Sequence, residues 1–586
     1  MKKIPPSPRS PDRQPRECAL SRKTGITARP RDFDWFAKNV PCQAACPAGT
    51  DIPGYLDAVA RGDLDAAYRI NLADNVFPAV LGRVCTRPCE PACRHGWPGL
   101  GEPVAVCFAK RSSDDFRART GPVVLPPLFA DSGKRVAVIG AGAAGLAAAR
   151  DLRRLGHAVT VYEQHTAAGG MMVQGIPAFR LPRDVVEREI AQIGAAGVVI
   201  RCGVEIGRDL SLDQLRKEND AVLIAAGCLR PVRPDSPGAA LGGVWHGLDF
   251  LRAVNGGKDV ATGRRVVVVG GGFTAVDCAR MARRLGAEDC LMVYRRTRDE
   301  MYVAAHELAE FEKEGVGARF QLAPVEILGR EGVVTGIRFA RTEPGSAGPD
   351  GRRTWVAVPG EEVVVECDSV LLATGQARGD GWAEHLAGAD PAVFVAGDVR
   401  TGPRSLIDAI GDGRRVALEM DEFLTGAARL KPAFRIQDSG RGGTGRAREL
   451  NDLPRQAARE LPPERRGPED EVELGLDAAA ARTEASRCYL CNVKFEIDND
   501  LCIYCDRCLK VKPVEGCIVK VSSLIFDARD RITGHVRSTG AHDYKRLHLD
   551  QGQCIRCGAC VEVCPVDCIT VQRVERVLIP PNSIPR

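Results

Sequence analysis

RVAVIGAGAAGLAAARDLRRLGHAVTVYE, residues 135–163, decides the fold of the chain's centre. An apolar, β-type run leads into Gly140, Gly142 and Gly145 at GxGxxG spacing; a helical pattern follows, and a second apolar run ends on Glu163. The glycines have mechanical work at these places: a tight turn, close approach of a pyrophosphate to the helix N-terminus, and close packing of helix on strand. A carboxylate at the end of the second strand suits the hydroxyls of an adenosine ribose. A lone GxGxxG says little. Here the whole strand–turn–helix–strand unit surrounds it, so a dinucleotide site is expected.

A second unit, RVVVVGGGFTAVDCARMARRLGAEDCLMVYRR at 265–296, carries Gly270, Gly272 and Ala275 at the same positions but closes on Tyr294, Arg295 and Arg296. A basic pair stands where the ribose carboxylate would be, which suits a 2′-phosphate and hence NADPH rather than NADH. Arg298 is a further candidate for that phosphate. Two such units suggest that the first holds FAD and the second delivers hydride to it. The later segments DSVLLATGQ (368–376) and VFVAGDVRTGPRSLIDAIGDGRRVA (393–417) are expected to complete the FAD domain. A disulfide reductase would need a CxxC beside the flavin. None is there: Cys202, Cys228, Cys278, Cys290 and Cys367 stand alone and are expected as buried small apolar residues.

The 586 residues include 23 cysteines, most of them clustered near the two ends. The opening MKKIPPSPRSPDRQPRE lacks an apolar signal core, so metal ligation in the cytoplasm is expected rather than a disulfide framework. CIRCGACVEVCP (554–565) is C-x2-C-x2-C-x3-C-P, the spacing of bacterial-type ferredoxins, in which the fourth cysteine serves the neighbouring cluster. Cys564 should therefore complete a [4Fe-4S] site with Cys502, Cys505 and Cys508. The partner site of Cys554, Cys557 and Cys560 lacks its cysteine, because Lys512 stands before Pro513. Cys517 is the expected substitute, with Cys568, a nonprotein ligand or a three-iron cluster as alternatives.

PCQAACPAGTDIPGY (41–55), LGRVCTRPCEPACRHG (81–96), EPVAVCFAKR (102–111), GGMMVQGIPAFRLP (169–182) and YRRTRDEM (294–301), together with the dinucleotide units, resemble the small subunit of glutamate synthase and related NADPH-linked flavoproteins over roughly residues 35–425. The N-terminal part of dihydropyrimidine dehydrogenase is similar over the same region. The resemblance implies a helical N-terminal domain with two cubane clusters between flavin and partner. It implies Cys46, Cys85 and Cys89 as ligands of one cluster, with a fourth, often noncysteine, ligand, and Cys42 and Cys93 as ligands of the other. It also implies flavin contacts near Gly170 and at Asp398, whose segment resembles the closing motif of two-dinucleotide flavoproteins. Two departures stand out. Lys110 occupies the family's fourth-ligand position and cannot ligate as an ammonium, which leaves Cys107 one turn earlier, or no fourth protein ligand. The family's further CxxC, in a phrase like EAxRCLxC ahead of the Cys42 equivalent, is missing there, yet EASRCYLC occurs at 484–491. Cys488 and Cys491 are expected to return in space to Cys42 and Cys93; an independent CxxC is the alternative.

Hydrophobic residues make up 44% and charged residues 27%, as in folded soluble protein. A net charge of +5 against 81 basic and 76 acidic residues gives no footprint for nucleic acid, and no apolar run is long enough to span a membrane. The expected fold is α/β multidomain: an extended arm (1–33), a helical iron–sulfur domain (34–120), an FAD domain (134–260 and 370–430), an NADPH domain (261–369), a linker (431–486) and an α+β ferredoxin-like domain (487–586). The expected function is electron transfer between NADPH, FAD, iron–sulfur clusters and either ferredoxin or a partner such as a 2-oxoacid:ferredoxin oxidoreductase. The NADPH-oxidising subunit of a glutamate synthase is the first alternative, and a non-catalytic relay or assembly subunit the second. No acid–base pair is expected to act on substrate, since the cofactors carry the chemistry.

Overall fold

The computed structural model describes residues 33–228, 230–232, 236–301, 303, 305–348, 353–379, 390–438, 448–526, 532–540 and 546–581. Apart from Phe33, the expected arm lies outside the described residues, as does Cys18.

The first dinucleotide unit lies in a five-stranded parallel sheet ordered Val393–Val395, Ala221–Ile224, Arg135–Ile139, Ala158–Glu163, Val199–Cys202. Its central strands are apolar without alternation because helices cover both faces of a parallel sheet. Helices Ala143–Arg154 and Leu406–Thr425 pack so closely that a Cβ on Gly413 would stand 2.3 Å from the Ala144 carbonyl oxygen.

The second unit lies in another parallel sheet, ordered Val244–His246, Ser369–Leu372, Arg265–Val269, Asp289–Tyr294, Gly317–Phe320. This corrects the expected boundaries. Ser369–Leu372, read as a return to the FAD domain, pairs instead with Arg265–Val269 and Val244–His246, so residues 244–255 also belong with the NADPH unit. The chain re-enters the FAD sheet only at Val393. An antiparallel insert, Leu322–Arg330, Val333–Ala347 and Arg353–Glu366, is placed between the last two strands of this sheet in sequence.

The two chain ends build one body. Strand Ile569–Ile579 is flanked by Lys431–Asp438 and Val493–Ile497, both antiparallel to it. Residues 431–486, expected as a linker, thus contribute a sheet strand, and helix Ala478–Ser486 packs on Ile52–Arg61 and Val106–Asp115. One apolar core joins Phe36, Tyr55, Leu56 and Val59 from the N-terminal helices to Phe434, Phe495, Ile518 and Val571. Phe36 stacks on Phe434 with ring centroids 4.6 Å apart. The N-terminal helices also meet the FAD domain through Glu189, whose carboxylate accepts from Ala79 N (2.9 Å), Val80 N (3.0 Å) and the Tyr68 hydroxyl (3.0 Å). It thereby caps helix Pro78–Val84, whose first N–H groups have no partner within the helix.

Candidate functional site

The first dinucleotide cradle is shaped by its glycines. Gly140 has φ +102°, and a Cβ on Gly145 would lie 2.1 Å from the Gly140 carbonyl oxygen. Gly142 faces open space at the start of helix Ala143–Arg154, and Gly170 (φ +52°) closes against it, a Cβ there standing 2.9 Å from the Gly142 Cα. Glu163 is held at the lip: its carboxylate accepts from Ala141 N (2.9 Å) and His165 N (3.0 Å). Asp398 accepts from Arg404 N at 3.2 Å, and burial raises its pKa to about 6. Open space at a helix N-terminus, with a carboxylate at the next strand end, fits the pyrophosphate and ribose of FAD.

In the second cradle Gly272 likewise faces open space, Gly271 lies under the Tyr294 ring, and Ala275 is fully buried. Arg295 is exposed, its guanidinium 5.4 Å over the ring of Trp355 from the inserted sheet. The Nε of Arg296 is buried with no hydrogen-bond partner among the described residues, an orphan donor that fits a phosphate oxygen. Arg298 is engaged elsewhere, 2.7 Å from Glu312. The two domains are tied by Arg180, which pairs with Asp277 at 2.8 Å and with Glu307.

No disulfide joins any of the described cysteines. Of the five isolated ones, Cys228, Cys278, Cys290 and Cys367 are buried as expected. Cys202 is not: it ends the edge strand of the FAD sheet and is exposed.

The remaining cysteines gather in four sets. Cys502, Cys505, Cys508 and Cys564 line one cavity, into which Cys568 also reaches, with its Sγ 3.5 Å from that of Cys564. Cys517 lines a second with Cys554, Cys557 and Cys560. Lys512, which displaced the usual cysteine, sends its ammonium to the Ile518 carbonyl at 2.7 Å. Cys42, Cys93, Cys488 and Cys491 line a third. In the fourth set, Cys85 and Cys89 lie close to Cys107, and Cys46 lies with them around the buried Lys110. The neighbouring Cys85 and Cys89 thiols hold the Cys107 thiol well below its usual range, whereas burial pushes Cys42 well above it, helped by charge on Cys491, Cys93 and Cys488. Among the described residues, no group of His, Cys, Asp or Glu closes tightly enough for a single metal ion. Thiols ranged around a cavity fit a larger, polynuclear centre.

Residues 134–413 match the pyridine nucleotide-disulphide oxidoreductase family, residues 35–121 the dihydropyrimidine dehydrogenase domain II, 4Fe-4S cluster family, and residues 547–570 the 4Fe-4S binding domain family. The beta subunit of the NADP(+)-dependent formate dehydrogenase of Moorella thermoacetica is 36% identical over 527 residues, spanning 82% of this chain and 73% of that one. The NADPH-Fe(3+) oxidoreductase subunit beta of Geobacter sulfurreducens is 34% identical over 544 residues, 81% of this chain and 79% of that one. The glutamate synthase [NADPH] small chain of Azospirillum brasilense is 36% identical over 414 residues, 64% of this chain and 84% of that one.

The chain belongs to the glutamate synthase small-chain-like family of NADPH-dependent FAD/iron–sulfur oxidoreductases.

As a member of this family it is an NADPH-dependent oxidoreductase, with FAD, NADPH and [4Fe-4S] clusters as its cofactors. Among the described residues no helix is long and apolar enough to cross a membrane. Within this family frame, one grouping was only half legible in the sequence. Cys107 meets Cys85 and Cys89 although its spacing matches no ferredoxin motif; the signal was a lysine at the family's ligand position with a cysteine one helical turn before it.

Proposed function

We propose that the chain exchanges electrons between NADPH and a partner oxidoreductase, a catalytic subunit or a ferredoxin-like protein, docking at the Cys502–Cys508 end. Gly140, Gly142, Gly145, Glu163, Gly170 and Asp398 would hold FAD; Gly270, Gly272, Ala275, Arg295 and Arg296 would hold NADPH. Three [4Fe-4S] sites would be held by Cys46, Cys85, Cys89 and Cys107; by Cys517, Cys554, Cys557 and Cys560; and by Cys502, Cys505, Cys508 and Cys564. When bound, the flavin supplies hydride acceptance and the clusters supply one-electron carriage. The protein's part is placement. Arg180 fastens the helix that follows the NADPH-side glycines to the FAD domain through Asp277. Glycine at 142 and 272 keeps bulk out of the space the pyrophosphates need.

The observation that carries the partner reading is the outermost thiol set: Cys505 is exposed, and Leu501 and Ile503 beside it are exposed apolar residues. An exposed ligand rimmed by apolar side chains suits a transient protein contact. The names of the Moorella and Geobacter relatives, both beta subunits, support a partner subunit. Glutamate synthase is the weaker reading, since its small chain matches less of this chain.

Anaerobic addition of NADPH tests the proposal. Bleaching of the flavin absorbance, followed by reduction of a viologen dye, is the expected result, with NADH much slower. FAD-loaded protein that NADPH fails to bleach would overturn it.

A further inference from the structure

We propose that Cys42, Cys93, Cys488 and Cys491 together hold one further [4Fe-4S] cluster, a site completed only when the segment around 484–491 docks on the N-terminal helices. Two of these cysteines come from each end of the chain, and all four line the same cavity. Its place is between the Cys46 set and the Cys554 set. Cys42 and Cys46 lie at the two ends of one short helix, Pro41–Ala45, and Cys89 and Cys93 lie on one loop. Arg94, next to Cys93, reaches the Cys554 carbonyl oxygen at 3.0 Å. The electron-transfer role of the site rests on the function proposed above; its existence does not.

Backbone geometry argues the case independently of the cavity. In the Cys488–Cys491 turn, Leu490 has φ +51°, a left-handed conformation that an L side chain adopts only at a cost of about 1 kcal/mol. Its N–H donates to the Cys488 Sγ at 3.4 Å. The ferredoxin-type turn at Cys502 has the same construction: Tyr504 has φ +52°, and its N–H donates to the Cys502 Sγ at 3.4 Å. Arg556 in the Cys554 turn again lies at φ +58°. Turning the third residue left-handed aims its N–H at the thiol two residues back, and such bonds to cluster sulfurs belong to the means by which proteins set cluster potential. The same outlier at the same place in three CxxC turns, two of them of ferredoxin type, points to a ligand turn.

Docking of the turn is over-determined. Glu484, fully buried, accepts from Ala105 N and Gln456 N, both at 2.7 Å. The buried Arg487 donates to the Glu102 carbonyl at 2.8 Å and the Leu453 carbonyl at 2.9 Å, and Tyr489 stacks on His95 at 4.7 Å. Each contact is made to the N-terminal helices or to the chain that leads into the turn, so Cys488 and Cys491 are held facing Cys42 and Cys93.

The test compares anaerobically purified wild type with Cys488→Ser/Cys491→Ser and, as a surface control, Cys202→Ser. Iron and acid-labile sulfide should fall by about a quarter in the double variant and not in the control, with one component lost from the EPR spectrum of dithionite-reduced protein. Cys93→Ser, altered at the other end of the chain, should lose the same component. FAD content reports folding in each preparation. Should the double variant fail to retain FAD, Cys93→Ser alone decides. Full iron content and an unchanged spectrum in a variant that retains FAD would overturn the proposal. Wild type that NADPH does not bleach would sink the proposed function while leaving this iron count valid.

Discussion

The guanidinium of Arg94 donates from Nη1 to the carbonyl oxygen of Cys554 at 3.0 Å, joining a residue of the N-terminal helical region to the ferredoxin motif. The same nitrogen donates to the Gln551 carbonyl at 2.8 Å, while Nη2 donates to the Lys38 carbonyl at 3.1 Å. Arg94→Met should therefore strand several buried acceptors at once, at a cost of roughly 2–4 kcal/mol. Anaerobic urea unfolding followed by cluster absorbance should show the midpoint shifted down. Arg94→Lys, which keeps the charge but loses the fork, should fall between the two.

Arg296 should carry more of the NADPH preference than Arg298. Replacing Arg296 by Ser should lower the NADPH-to-NADH ratio of kcat/KM by about 10–100-fold, chiefly through KM for NADPH. Arg298→Ser should leave the ratio within a factor of about two, because that side chain is paired with Glu312. Trp355→Ala should weaken NADPH binding slightly through Arg295, whose guanidinium it supports. Steady-state dye reduction with both nucleotides checks all three.

Glu189 should make stability depend on pH. Burial raises its pKa to about 7 in spite of the N–H donors of Ala79 and Val80. The folded protein therefore holds a proton on this group over a range where the unfolded chain has released it. Stability from this group is greatest below its unfolded pKa and declines as pH rises toward the folded value. Glu189→Gln removes the ionisation, so the Tm difference, wild type minus variant, should shrink from about pH 5 to pH 8. A difference that grows with pH would contradict this. Glu189→Ala, with two backbone donors left unpaired, should cost about 2–4 kcal/mol.

Lys110 places a buried ammonium beside Cys107, Cys85, Cys89 and Cys46, whose negative charge more than offsets burial and raises its pKa. A fixed cation favours the reduced, more negative state of a neighbouring cluster. Lys110→Met should lower the midpoint potential of that centre by on the order of 100 mV in an EPR-monitored titration. An unchanged potential would place the ammonium's influence elsewhere.

Much of this was legible because the requirement is local. The glycines at 140, 142 and 145 answer to a turn and a helix start within a few residues, and Cys554 to Cys564 answer to one loop. Strand partnership is not local. SVLL at 369–372 is equally apolar in either sheet, and only its register against Arg265–Val269 and Val244–His246 places it with the NADPH unit. KPAFRIQD at 431–438 reads as linker because its flanks are charged and glycine-rich, while the fold pairs it with Ile569–Ile579 and stacks Phe434 on Phe36 from near the other end of the chain. Cys202 read as core because cysteine usually is; its edge strand leaves it in solvent. Lys512 announced a missing thiol, and Cys517, expected as its substitute, lines the same cavity as Cys554, Cys557 and Cys560.

The core shared by the two chain ends has a consequence for synthesis. A ribosome releases Tyr55, Leu56 and Val59 long before Phe434, Phe495 and Val571, against which they pack. While both dinucleotide domains are being made, this core has only its N-terminal share of residues, and the part of the apolar face that Phe434, Phe495 and Val571 complete is still open. A nascent chain in this state is a natural client for chaperones, and a message cut short before codon 431 yields a product that sticks to its neighbours. Maturation at the N-terminal end is thus an event of the finished polypeptide, last in time although first in sequence.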